Sequence, residues 1–474
     1  MKRTLTPLLF ILLITSAFHQ VFAQTDSRSG QIEKQAVLEG LWVTDGYGFV
    51  IEIEADQFQL YEITAVSCIP SFSGKVKLAD QGSGDEDLIE ALVTILVGDI
   101  ELTIQVLTGT SPDEKRFLFE GKASDIVARR ISEFPSCCEA LPPNTPDVNF
   151  DIFWQTYLEH YPFFAMKGVD WEAVRREFRP QITDLTKEEE LFEVFKKMIL
   201  PLEDAHTFLQ ATSIGRGFAG KRPDPNPLTP EDQARSVEII ETKYLRSPVR
   251  RWANEQIAFA MLEAGVGYLR ISSFSGYTNN GDFRTGADAL ETALDEIFGS
   301  SQELEGLVID IRMNDGGMDP YGLAIASRLT KSEYLAYTKQ ARNDPTDPDQ
   351  WTEGQISLVN PSLRPGFYGP VILLTGPKTV SAGETFTMAL MGRFPEVIRI
   401  GQNTQGVFSD VQRRTLPNGW HFWLPNEHFL TEDGKNFDGP GIPPHVVVPV
   451  FSRSDLDSGK DGALEKAIEH LRED

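Results

Sequence analysis

The spacing of apolar residues changes along this chain, and each spacing favours a different kind of structure. Between residues 36 and 132, apolar and polar residues alternate, as they do from Phe49 to Glu54 and from Leu102 to Leu107. Turn sequences such as Asp45-Gly46 interrupt this alternation. A period of two places successive side chains on opposite faces of a strand. We therefore predict a β-rich, antiparallel N-terminal domain over 24–135, either a barrel or a sandwich.

A helical spacing replaces the alternation after residue 148. Aromatic residues recur at intervals of three and four from Phe150 to Tyr161, which defines one face of an amphipathic helix that we expect to be buried. From residue 256 onward, short apolar runs alternate with helical segments, a pattern typical of a layered α/β core. The chain is therefore predicted to be a multidomain α+β protein. Its further divisions are a helical subdomain over 148–214, a linker and helix over 215–255, and the core over 256–474.

Residues 1–23 have the composition of a secretory signal peptide. Lys2 and Arg3 form a basic start, Leu5 to Phe18 is mostly apolar, and Ala23 supplies a small residue at the expected cleavage point. A membrane anchor is the alternative, but the apolar run is shorter than the roughly 20 residues of a spanning helix. We expect this segment to be removed on export, which leaves a periplasmic or extracellular protein without a membrane span.

Charge and cysteine content limit the partners of the mature protein. The chain has 44 Lys and Arg against 70 Asp and Glu, a formal net charge of −26. Such an acidic chain repels phosphate backbones, so we expect no nucleic-acid partner. Its cysteines are Cys68, Cys137 and Cys138. Export favours a disulfide between Cys68 and one of the adjacent pair, and the absence of zinc-ligand spacing predicts no metal site.

Ser381 is the first candidate for chemistry. It follows an apolar strand predicted over Val371 to Thr375 and stands at or just before a helix predicted over Gly383 to Met391. A serine in this position lies at the positive end of the helix dipole, where developing negative charge is stabilised. The alternative is a structural role, because serine is also a preferred N-cap residue.

A second candidate segment runs from Leu307 to Gly317. An apolar strand there leads into the pair Gly316-Gly317, whose backbone N–H groups can approach a ligand closely. This arrangement suits an oxyanion hole, although an anion site or a plain turn has the same sequence. The loop lacks the lysine of a phosphate-binding Walker loop, so nucleotide binding is not predicted.

Both segments resemble motifs of the tail-specific, or C-terminal processing, protease family. Asp310 to Gly317 resembles the family's D-x-R-x-N-x-G-G loop, and Ser381 to Glu384 resembles its S-A-x-E nucleophile segment. The similarity covers roughly residues 148–472. It implies a crotonase-like (ββα spiral) core and serine peptidase activity without a cofactor. Further motifs resemble those of the family in the same order: Gly267 to Phe274, Gly401 to Gly406, Leu416 to Gly419, and Gly441 to Pro444.

The resemblance also indicates the general base. One branch of the family uses a lysine at the position of Val407, and a hydrocarbon side chain cannot accept a proton. The branch that includes tricorn protease uses a histidine, and Asp204 to Thr207 resembles its D-x-H-T segment. We therefore assign the base to His206, with Lys378 as the fallback. The related branch has a serine directly before its histidine, where this chain has Ala205.

The remaining catalytic groups follow from the same resemblance. The histidine branch places a glutamate three residues before the Gly-Ile of its last motif, a position that Asp438 occupies here. The shorter aspartate arm orients His206 only if the backbone lies closer, and a plain Asp-Gly turn is the alternative. The oxyanion hole is assigned to the N–H groups of Ala382 and of Gly316 or Gly317.

Together these assignments predict a secreted serine peptidase that acts on a peptide or protein substrate. The competing hypotheses are a catalytically weak or inactive family member that binds apolar ligands or peptides, and an acyl-transfer or hydratase enzyme on the same core. Only about 40 residues separate Ser213 from Ile257, too few for a compact inserted PDZ module of ~90 residues. The oligomeric state is not predicted.

Overall fold

The computed structural model describes residues 37–78, 89–97, 100–223, 227–263, 265–299, 304–344 and 346–473. The predicted signal peptide over 1–23 lies outside these ranges. Among the helices of the described ranges, none combines the length and the apolar composition needed to cross a bilayer.

The N-terminal part of the protein is a closed barrel of eight antiparallel strands. Its first strand pairs with both the second and the eighth, with Leu41 opposite Ile131 at the closure. Inward positions carry apolar side chains such as Trp42, Phe58 and Phe117, which fill the interior. The predicted fold class is confirmed, and of its two β alternatives the structure has the barrel. The strands are β1 Gly40–Thr44, β2 Phe49–Glu54, β3 Gln57–Thr64, β4 Ser67–Leu78, β5 Ile89–Val97, β6 Ile100–Thr108, β7 Glu114–Phe119 and β8 Ile126–Ile131.

A disulfide fastens the barrel to the segment that follows it. Cys68 at the start of β4 bonds to Cys138, while Cys137 is free and partly buried. The Cα atoms of the bonded pair lie 4.9 Å apart. Residues 139–145 form neither helix nor strand, and the first helix after them begins at Pro146.

Four helices after the barrel bury the aromatic stripe. Phe153 stacks on Phe195 with ring centroids 4.2 Å apart, and its ring lies 4.8 Å from that of Phe422 on a distant strand. The stripe is therefore packed between helices and a sheet, as its spacing predicts. The helices are α1 Pro146–His160, α2 Phe164–Lys167, α3 Trp171–Phe178 and α4 Glu188–Ile199.

The rest of the chain builds three sheets with helices around them. The strands are β9 Phe208–Ala211, β10 Arg216–Ala219, β11 Arg250–Trp252, β12 Ile257–Glu263, β13 Val266–Ile271, β14 Gly306–Asp310, β15 Tyr334–Ala341, β16 Gln355–Val359, β17 Val371–Thr375, β18 Ile398–Gly401, β19 Val411–Thr415, β20 His421–Pro425, β21 Glu427–Leu430 and β22 Val446–Val447. The helices are α5 Pro230–Ile239, α6 Phe283–Phe298, α7 Asp319–Ser327, α8 Ala382–Ala389, α9 Arg453–Ser458 and α10 Gly462–Glu473.

A seven-stranded sheet is the centre of this core. Its order is β11-β12-β13-β14-β17-β18-β22, and the strands from β13 to β22 run parallel. Strands β14 and β17 are buried throughout and are direct neighbours. The loops that follow their carboxyl ends therefore meet at one edge of the sheet, which is where α/β proteins place ligand sites.

The chain also forms two smaller sheets. The order β10-β9-β20-β19 forms the sheet that packs on the aromatic helices, and the order β16-β15-β21 forms the other. Strands β9 and β20 pair with Phe208 opposite Trp423, so the segment before β9 is held against a part of the chain that lies beyond Ser381 in sequence.

Candidate active site

Ser381 lies in a strained turn between β17 and α8. Its backbone angles are φ 54° and ψ −122°. Residues other than glycine rarely adopt this region. Such a conformation costs on the order of 1–3 kcal/mol and is found mostly at functional sites. The residue is half-buried, and no hydrogen bond of its side chain caps α8. The structure therefore disfavours the purely structural role of an N-cap serine.

The Gly-Gly loop after β14 packs directly against this serine. A Cβ atom added to Gly316 would lie 2.7 Å from the Cβ of Ser381, and one added to Gly317 would lie 2.2 Å from the carbonyl oxygen of Phe274. Both glycines have positive φ, 86° and 136°. A side chain at position 316 would thus collide with the serine, and one at position 317 with the backbone of Phe274.

The hydrogen bonds of the loop distinguish its two glycines. Gly316 donates its N–H to Oδ1 of Asn314 at 2.9 Å, while Nδ2 of Asn314 donates to the carbonyl of Ile271 at 3.0 Å. Within the described residues, no hydrogen bond uses the N–H of Gly317 or of Ala382. Of the two predicted glycine donors, Gly317 is therefore the one whose N–H remains available to an oxyanion.

The other residues of the D-x-R motif have a structural role. Arg312 is fully buried and forms ion pairs with Asp310 at 2.6 Å and with Asp461 at 2.7 Å. The pairs join the end of β14 to the start of α10. They fix the position from which the Gly-Gly loop departs.

Glu384 holds the segment beneath Ser381. Its buried carboxyl accepts the N–H groups of Gly406 and Val407 at 2.6 and 2.7 Å, and the carbonyl of Val407 accepts the N–H of Ser381 at 3.0 Å. Burial raises the pKa of Glu384 to about 7. Val407, which occupies the position of the lysine base in the other branch, thus lies directly beside the serine.

Asp438 contacts the same segment. Its Oδ1 accepts the N–H of Phe408 at 3.2 Å, whereas its Oδ2 is buried without a hydrogen-bond partner. The side chain is only 3% exposed. Burial raises the pKa of Asp438 well above its ordinary value, and the nearby Glu384 and Asp204 carboxyls raise it further.

His206 stands in a tight turn just before β9. Asp204 accepts the backbone N–H of His206 at 2.8 Å through Oδ1, and the hydroxyl of Tyr161 at 2.9 Å through Oδ2. The imidazole is 7% exposed, and its Nδ1 is buried without a hydrogen-bond partner. Burial lowers the pKa of His206, while the charges of Asp204 and Asp410 act in the opposite direction.

These contacts bring the predicted residues into one region without joining all of them. Ser381 and Asp438 share the segment around Val407, and Asp204 both binds the backbone of His206 and raises the pKa of Asp438. Among the described residues, no hydrogen bond links the side chain of His206 to that of Ser381 or Asp438. Nδ1 of His206 and Oδ2 of Asp438 are both unpaired, whereas a catalytic triad has a hydrogen bond between the corresponding atoms.

Sequence reasoning missed a cluster of charged residues near this region. Asp410 forms ion pairs with Lys339 at 2.6 Å and with Lys122 of the barrel at 3.1 Å. Asp319, at the start of α7, accepts the hydroxyl of Thr385 at 2.7 Å, and burial raises its pKa to about 7. No local motif marks these residues, because their partners come from distant parts of the chain.

The comparisons with known proteins agree with this geometry. Residues 265–448 match peptidase family S41, and residues 142–199 match the tricorn protease C1 domain. Residues 265–448 are a peptidase family S41 domain. The predicted resemblance to tail-specific proteases is thereby confirmed, and the S41 match contains both the Gly-Gly loop and Ser381.

Two relatives illustrate how far the similarity extends. Carboxyl-terminal-processing peptidase 3 of Arabidopsis thaliana, a chloroplastic protein, is 26% identical over 184 residues, which is 39% of this chain. The match spans 31% of that relative's own length. The crystal structure of a proposed peptidase from Parabacteroides merdae is 26% identical, with a TM-score of 0.58, and the match covers 69% of this chain and 97% of that one.

Proposed function

We propose that this protein is an exported serine peptidase that cleaves peptide bonds through an acyl-enzyme on Ser381, with His206 as the general base. The observation that carries the proposal is the pair of buried, unpaired atoms, Nδ1 of His206 and Oδ2 of Asp438. A buried polar atom without a partner costs about 1–3 kcal/mol, so an arrangement that paired these two atoms with each other would be favoured. A hydrogen bond between them would satisfy both atoms and fix the imidazole for catalysis.

The reaction assigns one role to each group. Nε2 of His206 takes the proton of the Ser381 hydroxyl as Oγ attacks the scissile carbonyl carbon. The N–H groups of Ala382 and Gly317 stabilise the oxyanion, and one such donor is worth about 3 kcal/mol. His206 then gives its proton to the leaving amine, and a water molecule activated by the same imidazole releases the acyl group. Asp438 holds the tautomer that leaves Nε2 free.

Export is part of the proposal. The composition of residues 1–23 supports it, and so does the disulfide between Cys68 and Cys138, because such bonds persist in oxidising compartments. The substrate is a peptide or protein, and neither a nucleic acid nor an organic cofactor has a part in the proposed reaction.

A fluorophosphonate probe tests the nucleophile and the base without knowledge of the substrate. We expect labelling of the mature protein at Ser381, none in Ser381→Ala, and a rate lowered by about 10⁴-fold or more in His206→Gln. Ser458→Ala, an exposed serine at the end of α9, is the matched control and should be labelled like the wild type. Labelling that persists in Ser381→Ala would rule out this serine.

A binding protein on the same fold is the second candidate. Ala205 and the short arm of Asp438 depart from the histidine branch, and the three catalytic side chains lack mutual hydrogen bonds. This candidate predicts no labelling at Ser381, together with saturable binding of an apolar ligand or peptide that leaves the ligand intact. Labelling at Ser381 with loss of the signal in Ser381→Ala decides against it.

A further inference from the structure

One loop of the N-terminal barrel lies against the loop that carries the oxyanion donors. Residues 120–125 join β7 to β8, and Gly121, with φ 81°, packs so closely that an added Cβ would lie 3.2 Å from Sδ of Met318. Met318 directly follows the Gly-Gly pair. Glu120 of the same barrel loop forms an ion pair with Arg284 of α6 at 3.1 Å.

The same barrel loop also reaches the segment beyond Ser381. Nζ of Lys122 lies 3.1 Å from Oδ1 of Asp410, and the two side chains are 40% and 25% exposed. Oδ2 of Asp410 is bound by Lys339, which is 3% exposed and comes from β15. Asp410 is thus held between a buried lysine of the core and a half-exposed lysine of the barrel.

Sheet geometry places Asp410 at the edge that carries His206. Trp423 of β20 is paired with Phe208 of β9 on one side and with Arg413 of β19 on the other. Both pairings are antiparallel, so β9 and β19 run in the same direction. His206 and Asp410 precede these strands, and they therefore lie at the same end of the sheet, two strands or about 10 Å apart at the backbone.

We propose that the barrel is part of the active site, and that Lys122 brings a positive charge towards His206, opposed by the Asp410 carboxylate that Lys339 of the core holds in place. This inference rests on the proposed function for its catalytic meaning, since His206 is there the general base. The protein would then not function as a core with a tethered accessory domain. The barrel loop over 120–125 would form one side of the active site and contribute to the charge near the base.

The charged groups around His206 predict in which direction its pKa shifts when each of them is removed. Asp204 and Asp410 raise the pKa of His206, and Lys122 lowers it, whereas burial lowers it most. Asp438 and Tyr161 also lie in this region, and burial raises the pKa of each. Removal of Lys122 should therefore raise the pKa of His206, and removal of the Asp410 charge should lower it.

Opposite shifts of the pKa of His206 in two variants distinguish this role of Lys122 from a structural one. Lys122→Met and Asp410→Asn break the same ion pair between barrel and core, so any effect of loosened docking is common to both variants. Their effects on His206 differ in direction, because one removes a positive charge and the other a negative charge. Lys122→Met is the variant that most safely folds, since its side chain is half-exposed, while Asp410→Asn leaves Lys339 its second partner, Glu427, at 3.1 Å.

The experiment is an NMR titration of the histidine rings in the full mature protein, with the His206 signal assigned through His206→Gln. We expect its pKa to rise by roughly half a unit or more in Lys122→Met and to fall by a similar amount in Asp410→Asn. Lys122→Arg should keep the wild-type value. Lys75→Met is the matched control, because Lys75 forms a 3.0 Å ion pair with Asp56 on the exposed surface of the same barrel.

The outcomes separate this inference from the proposed function. Shifts in the same direction in both variants, or a shift in Lys122→Met no larger than that in Lys75→Met, would overturn the inference. The titration does not require hydrolysis, so opposite shifts in a protein that no fluorophosphonate labels would retain the electrostatic role of Lys122 and reject the peptidase. In the active protein, the acid limb of the labelling rate should move to higher pH in Lys122→Met and to lower pH in Asp410→Asn.

Discussion

Two buried carboxyls near Ser381 differ in how their oxygens are used. Glu384 accepts two backbone N–H groups and holds the turn in place, while Asp438 accepts one and leaves Oδ2 unpaired. An unpaired buried acceptor is costly. Selection for stability alone would therefore favour a hydrogen-bond partner for that oxygen or the replacement of Asp438 by another residue. At the scale of single residues, the unpaired Oδ2 is therefore the feature that makes Asp438 a candidate for the triad.

The substitution Asp438→Asn should both stabilise the protein and lower its reactivity towards the fluorophosphonate probe. An unfolded chain ionises this carboxyl above pH ~4, whereas burial raises its pKa in the fold, so the folded protein releases this proton at a higher pH. The folded wild type then binds more protons, so its unfolding free energy falls as pH rises, and asparagine removes this dependence. Thermal melts from pH 5 to pH 8 should show a Tm advantage for the variant that grows with pH, while its labelling rate falls by about 10²–10⁴-fold. Unchanged labelling would exclude Asp438 from the triad.

Local motifs point to the candidate nucleophile and the candidate base because each is marked by its immediate neighbours. Ser381 stands between a strand and a helix, and His206 stands in a short D-x-H-T segment. Lys122 and Asp410 could not be found in this way, since nothing in their surroundings shows that a barrel loop meets the core. The choice between Gly316 and Gly317 was equally hidden, because it depends on a hydrogen bond from Gly316 to a side chain, that of Asn314.

At the scale of elements, the loop between β14 and α7 and the turn before α8 act as one unit. Gly316 lies so close to Ser381 that a Cβ at this position would collide with the serine. For the barrel, the sequence predicts the strands but not the way in which they are assembled. Alternating residues predict strands in a barrel and in a sandwich alike, and only the pairing of β1 with β8 decides between them.

The variant Gly316→Ala should separate the Gly-Gly loop from the nucleophile. Its Cβ would lie 2.7 Å from that of Ser381 and 2.9 Å from the carbonyl oxygen of Val380, so the loop must shift. We expect fluorophosphonate labelling to slow by about 10²-fold or more, as when an oxyanion donor is displaced. Gly276→Ala is the control, because its φ of 67° imposes similar backbone strain while its Cβ would have nothing within 4 Å. Equal losses in both variants would show that strain, not contact, is responsible.

At the scale of the whole molecule, the barrel is docked on the core through polar contacts at several points. Tyr47 donates its hydroxyl to Glu427 at 2.7 Å, and Arg414 donates to the carbonyl of Gly48 at 3.2 Å. The backbone N–H of Thr415 is bound by Glu62 at 2.6 Å. These contacts involve the β1–β2 turn and β3, so they are separate from the loop that carries Lys122.

The disulfide adds to the stability of this arrangement. It closes a loop with a sequence separation of 70, for which the chain-entropy estimate is about 4 kcal/mol. The double variant Cys68→Ser with Cys138→Ser should therefore lower the Tm of the barrel transition, and a reductant should lower it by a similar amount in the wild type. Cys137→Ser leaves the bond intact and should melt like the wild type. A wild type insensitive to reductant would contradict a stabilising disulfide.

The central claim is that Ser381 cleaves peptide bonds with the help of His206. Its most direct test is digestion of a diverse peptide library by the mature protein, with mass spectrometry to identify new termini. The account predicts cleavage by the wild type, none by Ser381→Ala, and a rate lowered by about 10⁴-fold or more in His206→Gln. Equal cleavage by wild type and Ser381→Ala, or no cleavage by a wild type that the probe labels, would contradict it.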